Sequence, residues 1–293
     1  MLSILIPTYN YEVTHLVTAL FKQCKEIPNL SFEIIVYDDG SNKKEIVTEN
    51  MALPGIKFIQ NKENIGRTAS RNLLAEKATF NTLLFLDADT LPKNATFIKT
   101  YLSIFQNYKN PTAIFGGYFY DRTSYEKERS LRYFYGKKRE ENTAANRNRK
   151  PYAYVFSGNF MIDKKVYQSL KIPATNVYGM DNYFSFLLKT NKVNVVHINN
   201  EIIHLGLERN KDFFNKALIS IKFRKENMLN CKEITQANAL LRTYHKLNFF
   251  PVNKLLKTSF KYAESLLKKF IFRPKPSLIA FDLYRLLYLF NLK

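Results

Sequence analysis

The sequence predicts an α/β fold, with a Rossmann-like, mainly parallel sheet flanked by helices and a helical, basic C-terminal extension. Short apolar runs alternate with helical segments through the first 86 residues, which is the pattern of βαβ units. Several of these runs end in polar residues, and ligands bind at the carboxyl ends of strands in such sheets. Beyond residue 210 the apolar spacing is helical to the end.

The first half of the chain carries the clearest elements. The predicted strands are short apolar runs, and they cover residues 2–6, 32–37, 56–60 and 82–86. The predicted helices have helical spacing or composition, and they cover residues 12–24, a polar segment after Ser41, and residues 67–78. Right-handed crossovers between these strands give a parallel sheet.

The pattern loosens after residue 110. One strand is predicted over residues 112–120, and residues 121–150 are predicted to leave the sheet as part helix and part mobile loop. The remaining predictions are strand-like residues 153–162, a helix from near Asp181, and strands at 193–198 and 201–205.

Composition limits the protein class. The 293 residues carry a formal net charge of +20, which favours an anionic partner. The 24 Phe and 19 Tyr exclude a largely disordered chain, and the few Gly and Pro exclude a collagen-like one. Two widely spaced cysteines, Cys24 and Cys231, favour a reducing cytosol. The longest apolar stretch, 277–292, is interrupted by Asp282 and Arg285, so we expect a cytoplasmic protein, soluble or peripheral on the inner face of the membrane.

Two pairs of carboxylates follow predicted strands. Asp87-Ala88-Asp89 presents hard oxygen ligands, which suit Mg²⁺ or Mn²⁺ bridged to substrate phosphates. The alternative is a turn, because Asp is a common turn residue. Asp38-Asp39, before Gly40-Ser41, would accept hydrogen bonds from a base or a ribose, and the alternative is again a βα turn.

A third polar segment opens the helix at residues 67–78. It contains Asn64, Gly66, Arg67 and Arg71. Arginines near a helix N-terminus suit a diphosphate, although a surface helix with solvated arginines is the commoner case. No G-x-G-x-x-G follows the first strand and no Walker A loop is present, so the dinucleotide and P-loop classes lose their main support.

Four segments in order resemble glycosyltransferase family 2. They are residues 3–10 (SILIPTYN), 36–41 (VYDDGS), 64–72 (NIGRTASRN) and 86–89 (LDAD). The resemblance covers about residues 1–206. It implies a GT-A fold, a Mn²⁺ or Mg²⁺ cofactor, and an inverting transfer from a nucleotide-diphosphate sugar, with UDP as the family's commonest nucleotide.

The resemblance also implies roles for individual residues. The nucleotide-sugar site would comprise Pro7, Thr8, Tyr9, Asn10, Asp38, Asp39, Asn64, Gly66, Arg67, Arg71, Asp87 and Ala88. Asp39 is the preferred base or ribose contact. Asp87 and Asp89 look like the DxD motif, with Asp89 as the direct metal ligand, and His204 is similar to a late histidine that completes the metal site in some members.

The acceptor side is implied by two later segments. Ser157, Gly158 and Asn159 are similar to the stretch lining the donor sugar and the acceptor. Tyr178-Gly179-Met180-Asp181 resembles the family's Gly-x-Glu-Asp element, whose final Asp is the general base. Met180 replaces the usual Glu, which leaves one carboxylate instead of two. The alternative for Asp181 is a helix N-cap. His204 is weighed equally against an ordinary strand histidine, and His197 is assigned no site.

These parts predict two domains. Residues 1–206 form the transferase domain, with a nucleotide-sugar half of about 1–110 and an acceptor half of about 111–206, and residues 207–293 form a helical basic region. The expected acceptor is a glycan or lipid-linked sugar in cell-surface polysaccharide or glycan synthesis. The alternative is a catalytically silent protein that binds nucleotide-sugar or anionic membrane. A processive synthase is disfavoured, because without Trp the Gln-x-x-Arg-Trp element is missing.

The basic C-terminal region has three interpretations. Residues 222–293 hold 15 Lys and Arg against 4 Asp and Glu, interleaved with aromatic residues. A packed, solvated helical subdomain is the default. A patch for an anionic membrane surface or acceptor is the sharper hypothesis. Nucleic-acid binding is the weakest, because no nucleic-acid-binding signature is present, and we expect no nucleic-acid partner.

Overall fold

The computed structural model describes residues 1–42, 53–108, 111–175, 177–229, 235, 238–249 and 252–292. The polar helix predicted after Ser41 and the predicted reduced Cys231 lie outside the described residues. Cys24 is a buried free thiol, and burial raises its pKa to about 12. The predicted α/β class is confirmed by a mainly parallel sheet with helices.

The main sheet has seven strands in the order β3-β2-β1-β4-β8-β6-β9. Their bounds are β1 Leu2–Thr8, β2 Phe32–Asp38, β3 Ile56–Gln60, β4 Thr82–Leu86, β6 Thr112–Phe115, β8 Asn159–Asp163 and β9 Asn194–His197. β1, β2, β3 and β4 pair in parallel, and β6 pairs in parallel with β9. β8 runs antiparallel to both β4 and β6. The carboxyl ends of β1, β2 and β4 therefore share one edge with the start of β8.

A small second sheet carries the other three strands. They are β5 Thr90–Pro92, β7 Tyr118–Phe119 and β10 Ile202–His204, in the order β5-β10-β7. The single strand predicted over residues 112–120 was wrong, since it is divided between the two sheets. Gly116 and Gly117 make the break: a Cβ on Gly116 would lie 2.2 Å from the Asn200 carbonyl oxygen, and Gly117 has a φ of +90°. Only glycine accommodates that approach and that backbone angle.

The helices complete the fold. They are α1 Thr14–Lys25, α2 Arg67–Lys77, α3 Phe97–Phe105, α4 Ser130–Tyr135, α5 Ala144–Asn148, α6 Lys164–Ser169, α7 Met180–Thr190, α8 Asn210–Met228, α9 Ala239–Asn248, α10 Val252–Ile271 and α11 Leu278–Asn291. The excursion at 121–150 contains short helices, including one π-helical turn at Gly136–Glu140. Among the described residues, no helix combines the length and the apolarity needed to cross a bilayer.

The chain divides into two compact units. The first comprises Met1–Phe119, Glu141–Asn176 and Leu187–Gly206, and the second comprises Tyr120–Glu140, Val177–Phe186 and Leu207–Lys293. Both sheets belong to the first unit. The second unit is helical, and its core is built on aromatic and aliphatic side chains that include Phe213, Phe214, Phe281 and Tyr284. The predicted domain bounds, 1–206 and 207–293, stay a prediction.

Candidate functional site

Three predicted site segments meet at one edge of the main sheet. They follow β2, β1 and β4, which are neighbours in that order, so the segments are neighbours as well. The backbone N–H of Asp39 donates to the Thr8 carbonyl at 2.9 Å, which joins the first two segments directly. The backbone N–H of Asp87 donates to the Gly158 carbonyl at 3.1 Å, which joins the third to the Ser157–Asn159 segment.

The two carboxylates after β2 are buried and hold the surrounding loops. Asp38 accepts hydrogen bonds from the backbone N–H and the hydroxyl of Ser41. Asp39 accepts from the backbone N–H groups of Ile65 and Gly66, each at 2.8 Å. Asp39 therefore fixes the start of helix α2. Each Asp39 oxygen accepts one of these bonds and has a second lone pair with which it could accept a bond from a ligand. Its role as the base or ribose contact stays a prediction.

The turn after β1 is shaped by short-range hydrogen bonds. The Thr8 hydroxyl donates to the Tyr11 carbonyl at 2.7 Å. Asn10 adopts a left-handed φ of 52°, which Asn tolerates better than most residues, and its N–H donates to the Ser41 hydroxyl at 2.7 Å. Pro7 lies within the strand itself, and the Tyr9 side chain is exposed. This turn is thus fixed in the backbone and offers Tyr9 to solvent.

Asp87 is held by two arginines of helix α2. Its carboxylate pairs with Arg71 at 2.5 Å and, on the other oxygen, with Arg67. Asp87 and Arg71 are buried, whereas half of the Arg67 side chain is exposed. Burial opposes ionisation of Asp87, but the two guanidinium groups outweigh it and hold its pKa below the usual value. Helix α2 therefore brings two cations to the carboxyl end of β4.

Asp89 lies two residues farther along, past half-buried Ala88, beside a histidine from β10. Its Oδ2 is 3.9 Å from Nε2 of His204, and its side chain is partly exposed. The Leu205 N–H donates to the Asp89 carbonyl at 2.8 Å, which fixes the two segments together. A Cβ on Gly206 would lie 1.9 Å from Asp89 Oδ2, so glycine is required for this approach.

The pair Asp89 and His204 fits a divalent cation. A carboxylate and an imidazole are both ligands of Mn²⁺, and two ligands about 2.1 Å from one ion lie about 3–4 Å apart. Among the described residues no group of three or more His, Cys, Asp or Glu side chains is placed to hold a metal. Mg²⁺ usually takes several of its ligands from substrate phosphates and water, so two protein donors are compatible with such a site.

The Ser157–Asn159 segment is placed beside Asp87, but the Asn159 side chain turns inward. The Asn159 amide donates to the carbonyls of Gly117 and Asn200 and accepts from the Tyr101 hydroxyl. A Cβ on Gly158 would lie 2.2 Å from Asp87 Oδ2 and 2.1 Å from the Tyr118 hydroxyl oxygen. Gly158 therefore lets the Asp87 carboxylate and the Tyr118 hydroxyl approach the backbone closely, while the Asn159 side chain joins β8 to the β6–β7 break. The roles of Ser157, Gly158 and Asn159 in sugar binding stay predictions.

Asp181 belongs to the second unit. Helix α7 begins at Met180, so Asp181 lies in its first turn and not at the N-cap position. The preceding Gly179 has a φ of +109°, and a Cβ there would lie 2.3 Å from the Ser220 hydroxyl oxygen. The segment 178–181 is therefore pinned against α8. A half-buried carboxylate in a first helical turn is favoured by the helix dipole.

Several residues at this edge had no clear sequence signal. Tyr11 is one: burial and then the charge of Asp89 raise the pKa of its hydroxyl, so it lies near that carboxylate. Tyr118 is another, since its ring lies 5.7 Å from that of His204. A Tyr beside a turn or in a short strand resembles any core aromatic, so only the tertiary structure identifies these two.

The burial of Arg147 was not predicted from the sequence, and its side chain is the largest of those that are fully buried among the described residues. Arg147 belongs to the segment 121–150 that was predicted to leave the sheet, and it is fully buried in the first unit. Its guanidinium donates to the carbonyls of Phe115, Gly116 and Ile198 and to Nδ1 of His197. Burial and then the charge of Arg147 lower the pKa of His197 to about 4, so that ring is neutral and structural.

Comparison with known proteins gives a family match. A family model described as "Glycosyl transferase family 2" matches residues 3–170. An "Uncharacterized glycosyltransferase" from Haemophilus influenzae is 36% identical over 89 residues, which span 30% of this chain and 29% of that protein. The match thus covers less than a third of the relative's length.

Solved structures share the fold. S. aureus TarS 1-349 has a TM-score of 0.53 at 16% identity, and the match covers 98% of this chain and 89% of that chain. Another structure of TarS 1-349 is in complex with UDP-GlcNAc. The mannosyltransferase PcManGT from Pyrobaculum calidifontis, in complex with GDP-Man and Mn²⁺, has a TM-score of 0.58 at 14% identity, with 98% of this chain and 84% of that chain covered.

Proposed function

The chain belongs to glycosyl transferase family 2, with the GT-A fold, and from this membership we propose that it is an inverting glycosyltransferase. It moves a sugar from a nucleotide-diphosphate sugar, with UDP-sugar as the expected donor, to a hydroxyl of a glycan or lipid-linked acceptor. One observation carries the proposal: the residues after β4, the end of β10 and the start of helix α2 bring Asp89, His204 and the Arg67–Asp87–Arg71 cluster together in a single unit. Solved relatives in complex with UDP-GlcNAc and with GDP-Man support a nucleotide-sugar donor.

Arg67 is the group that we expect to meet the diphosphate. Half of its side chain is exposed, and it stands at the first position of helix α2, where backbone N–H groups and the dipole also favour anions. Arg71 is buried on the other Asp87 oxygen and keeps that carboxylate in place. Positive charge at this position stabilises the negative charge that develops on the leaving nucleotide diphosphate.

Asp89 and His204 would hold a Mn²⁺ or Mg²⁺ ion, and a solved relative in complex with Mn²⁺ supports this choice. A bound divalent cation would neutralise charge on the diphosphate. Asp87 is already neutralised by two arginines, so Asp89 is the better direct ligand.

Asp181 is the proposed general base. It accepts the proton of the acceptor hydroxyl as that oxygen attacks the anomeric carbon from the face opposite the diphosphate. The bond from the anomeric carbon to the diphosphate oxygen breaks in the same step, so a single displacement inverts the anomeric configuration. No Ser or Cys nucleophile is needed.

A thermal-shift screen of UDP- and GDP-sugars with Mn²⁺ tests the donor site. We expect one donor to stabilise the first unit by about 2.7 kcal/mol at a concentration 100-fold above its Kd. In Asp89→Asn the part of the shift that requires Mn²⁺ should disappear, because an amide is a weaker metal ligand than a carboxylate. Asp212→Asn, an exposed carboxylate of α8, is the matched control and should keep the full shift. Equal Mn²⁺ dependence in the wild type and in Asp89→Asn contradicts the assignment.

Gly206→Ala tests the same site from its neighbour. The added methyl group would occupy the position of Asp89 Oδ2, so the Asp89 side chain must turn away. We expect kcat/KM to fall about 100-fold, since a shift of about 1 Å at a reacting site has that effect. In an Asp89→Asn background the same substitution should add little, because both changes act through one carboxylate. Additive losses measured across this cycle would place the effect elsewhere.

A catalytically silent binding protein on the same fold is the alternative. Release of nucleotide from the donor in the presence of a panel of hydroxyl acceptors, followed by chromatography, separates the two. A donor that stabilises the protein but is never consumed, in the presence or absence of acceptor, favours the silent protein.

A further inference from the structure

The last two helices of the second unit leave large apolar side chains in solvent. On α10 these are Leu255, Tyr262, Leu266 and Phe270, which we call the exposed stripe. Their spacing of seven, four and four residues places them on one face of the helix. The adjacent face, about 100° around the helix, contributes Leu267 and Ile271 to the core, so the helix is already packed beside the stripe.

The exposed stripe is too open to be part of the packed interior. Tyr262 is 81% exposed, Leu255 is 65% exposed and Leu266 is 57% exposed. Phe272 follows the helix, and Ile279 and Leu283 on α11 are exposed as well. Single exposed apolar residues are ordinary on a protein surface, but a row of them along a helix marks an interaction surface.

Cations accompany the stripe without acidic partners. Lys257, Lys261, Lys269, Arg273 and Lys275 are exposed, and within the described residues none of them forms a salt bridge. The two carboxylates of this helix pair are already used. Glu264 binds Lys268 and the Tyr284 hydroxyl, and Asp282 binds Arg139 and Arg285.

We infer that the pair α10–α11 lies on an anionic lipid surface, with the exposed stripe inserted among the acyl chains and these unpaired cations against the headgroups. Amphipathic helices with Lys and Arg beside large apolar residues bind membranes in this way. A second copy of the chain is the poorer occupant, because it would bring the same unpaired cations together, whereas anionic lipid supplies the missing negative charge. This inference is independent of the proposed transferase activity.

Sedimentation with lipid vesicles tests the inference on the full chain without any substrate. Vesicles of 30% phosphatidylglycerol in phosphatidylcholine should bind the protein at low salt, and both 0.5 M salt and pure phosphatidylcholine should weaken binding. Tyr262→Ser with Leu266→Ser should lower the partition coefficient at least tenfold. Lys261→Gln with Lys269→Gln should lower it about 25-fold, about fivefold for each charge removed.

Matched substitutions elsewhere control for composition and folding. Ile219→Ser removes an exposed apolar side chain from α8, and Lys99→Gln with Lys165→Gln removes two exposed lysines of the first unit. Both control variants should bind vesicles as the wild type does, and the thermal melts of all variants should be unchanged. Absence of binding to anionic vesicles at low salt overturns the inference, and so does equal binding by the stripe variants. A concentration-dependent dimer that Tyr262→Ser with Leu266→Ser dissociates would assign the stripe to self-association instead, and would overturn it as well.

Discussion

Asp181→Asn is expected to lower kcat by a factor of about 10² to 10⁴ while leaving KM for the donor nearly unchanged. The amide has almost the shape of the carboxylate but cannot accept the acceptor proton at neutral pH. Because Asp181 lies in the first turn of α7, loss of its charge should also cost about 0.3–1 kcal/mol of stability. Initial rates of nucleotide release and a urea unfolding curve measure the two effects separately.

Asp212→Asn is the matched control for that substitution. Asp212 also lies in the first turn of a helix, α8 of the same unit, and it is exposed. It should lose a similar small amount of stability and keep its full turnover. Asp181→Asn could instead show near-normal turnover and an unfolding curve like that of Asp212→Asn. Asp181 would then only stabilise the start of helix α7 and would not be the general base.

Arg147→Met is expected to lower the free energy of unfolding by about 3 kcal/mol. The substitution removes this donor from three buried carbonyls. The Phe115 and Gly116 carbonyls keep the backbone N–H groups of Ile198 and Asn200, so each loses only a bond of about 0.5–1.5 kcal/mol, whereas loss of the donor to the Ile198 carbonyl costs about 1–3 kcal/mol. Part of that loss is offset, because the cost of burying a charge disappears with the guanidinium. Chemical denaturation followed by tyrosine fluorescence and circular dichroism gives the value.

Two further variants test why arginine is needed at position 147. Arg147→Lys should also destabilise, by more than about 1 kcal/mol, because an ammonium group cannot reproduce a planar fork with five donors. Arg149→Met removes an exposed arginine two residues away and should change stability by less than about 0.5 kcal/mol. If Arg147→Met were as stable as Arg149→Met, the hydrogen bonds of Arg147 to the β6–β7 break and to the end of β9 would contribute nothing to stability.

The strands and helices of the first unit were largely predictable. Strands such as residues 2–6 and 82–86 are buried on both faces of the sheet, so consecutive residues must be apolar and the strands can be recognised in the sequence. The break at Gly116-Gly117 was missed, because each glycine is needed for a contact with a distant residue. Sequence spacing does not report such contacts.

The site was predictable as a set of segments and not as a set of contacts. The strand pattern placed the segments that contain Thr8, Asp39 and Asp87 near one another, because strand ends of a parallel sheet share an edge. The pattern and the motifs did not show that Asp87 is occupied by two arginines, or that the Asn159 side chain faces inward. They gave no sign that Arg147, in the segment predicted to leave the sheet, is buried.

The sequence by itself determined the fold class and the family, since each depends on local periodicity or short motifs. The tertiary structure alone decided which carboxylate faces a histidine, which arginine is buried, and which apolar face of α10 is exposed among the described residues. The physical reason is that hydrogen bonding and burial are satisfied between residues far apart in the chain. Whether Asp89, Arg147 or Tyr262 is used for binding, for packing or for neither depends on neighbours that no local pattern encodes.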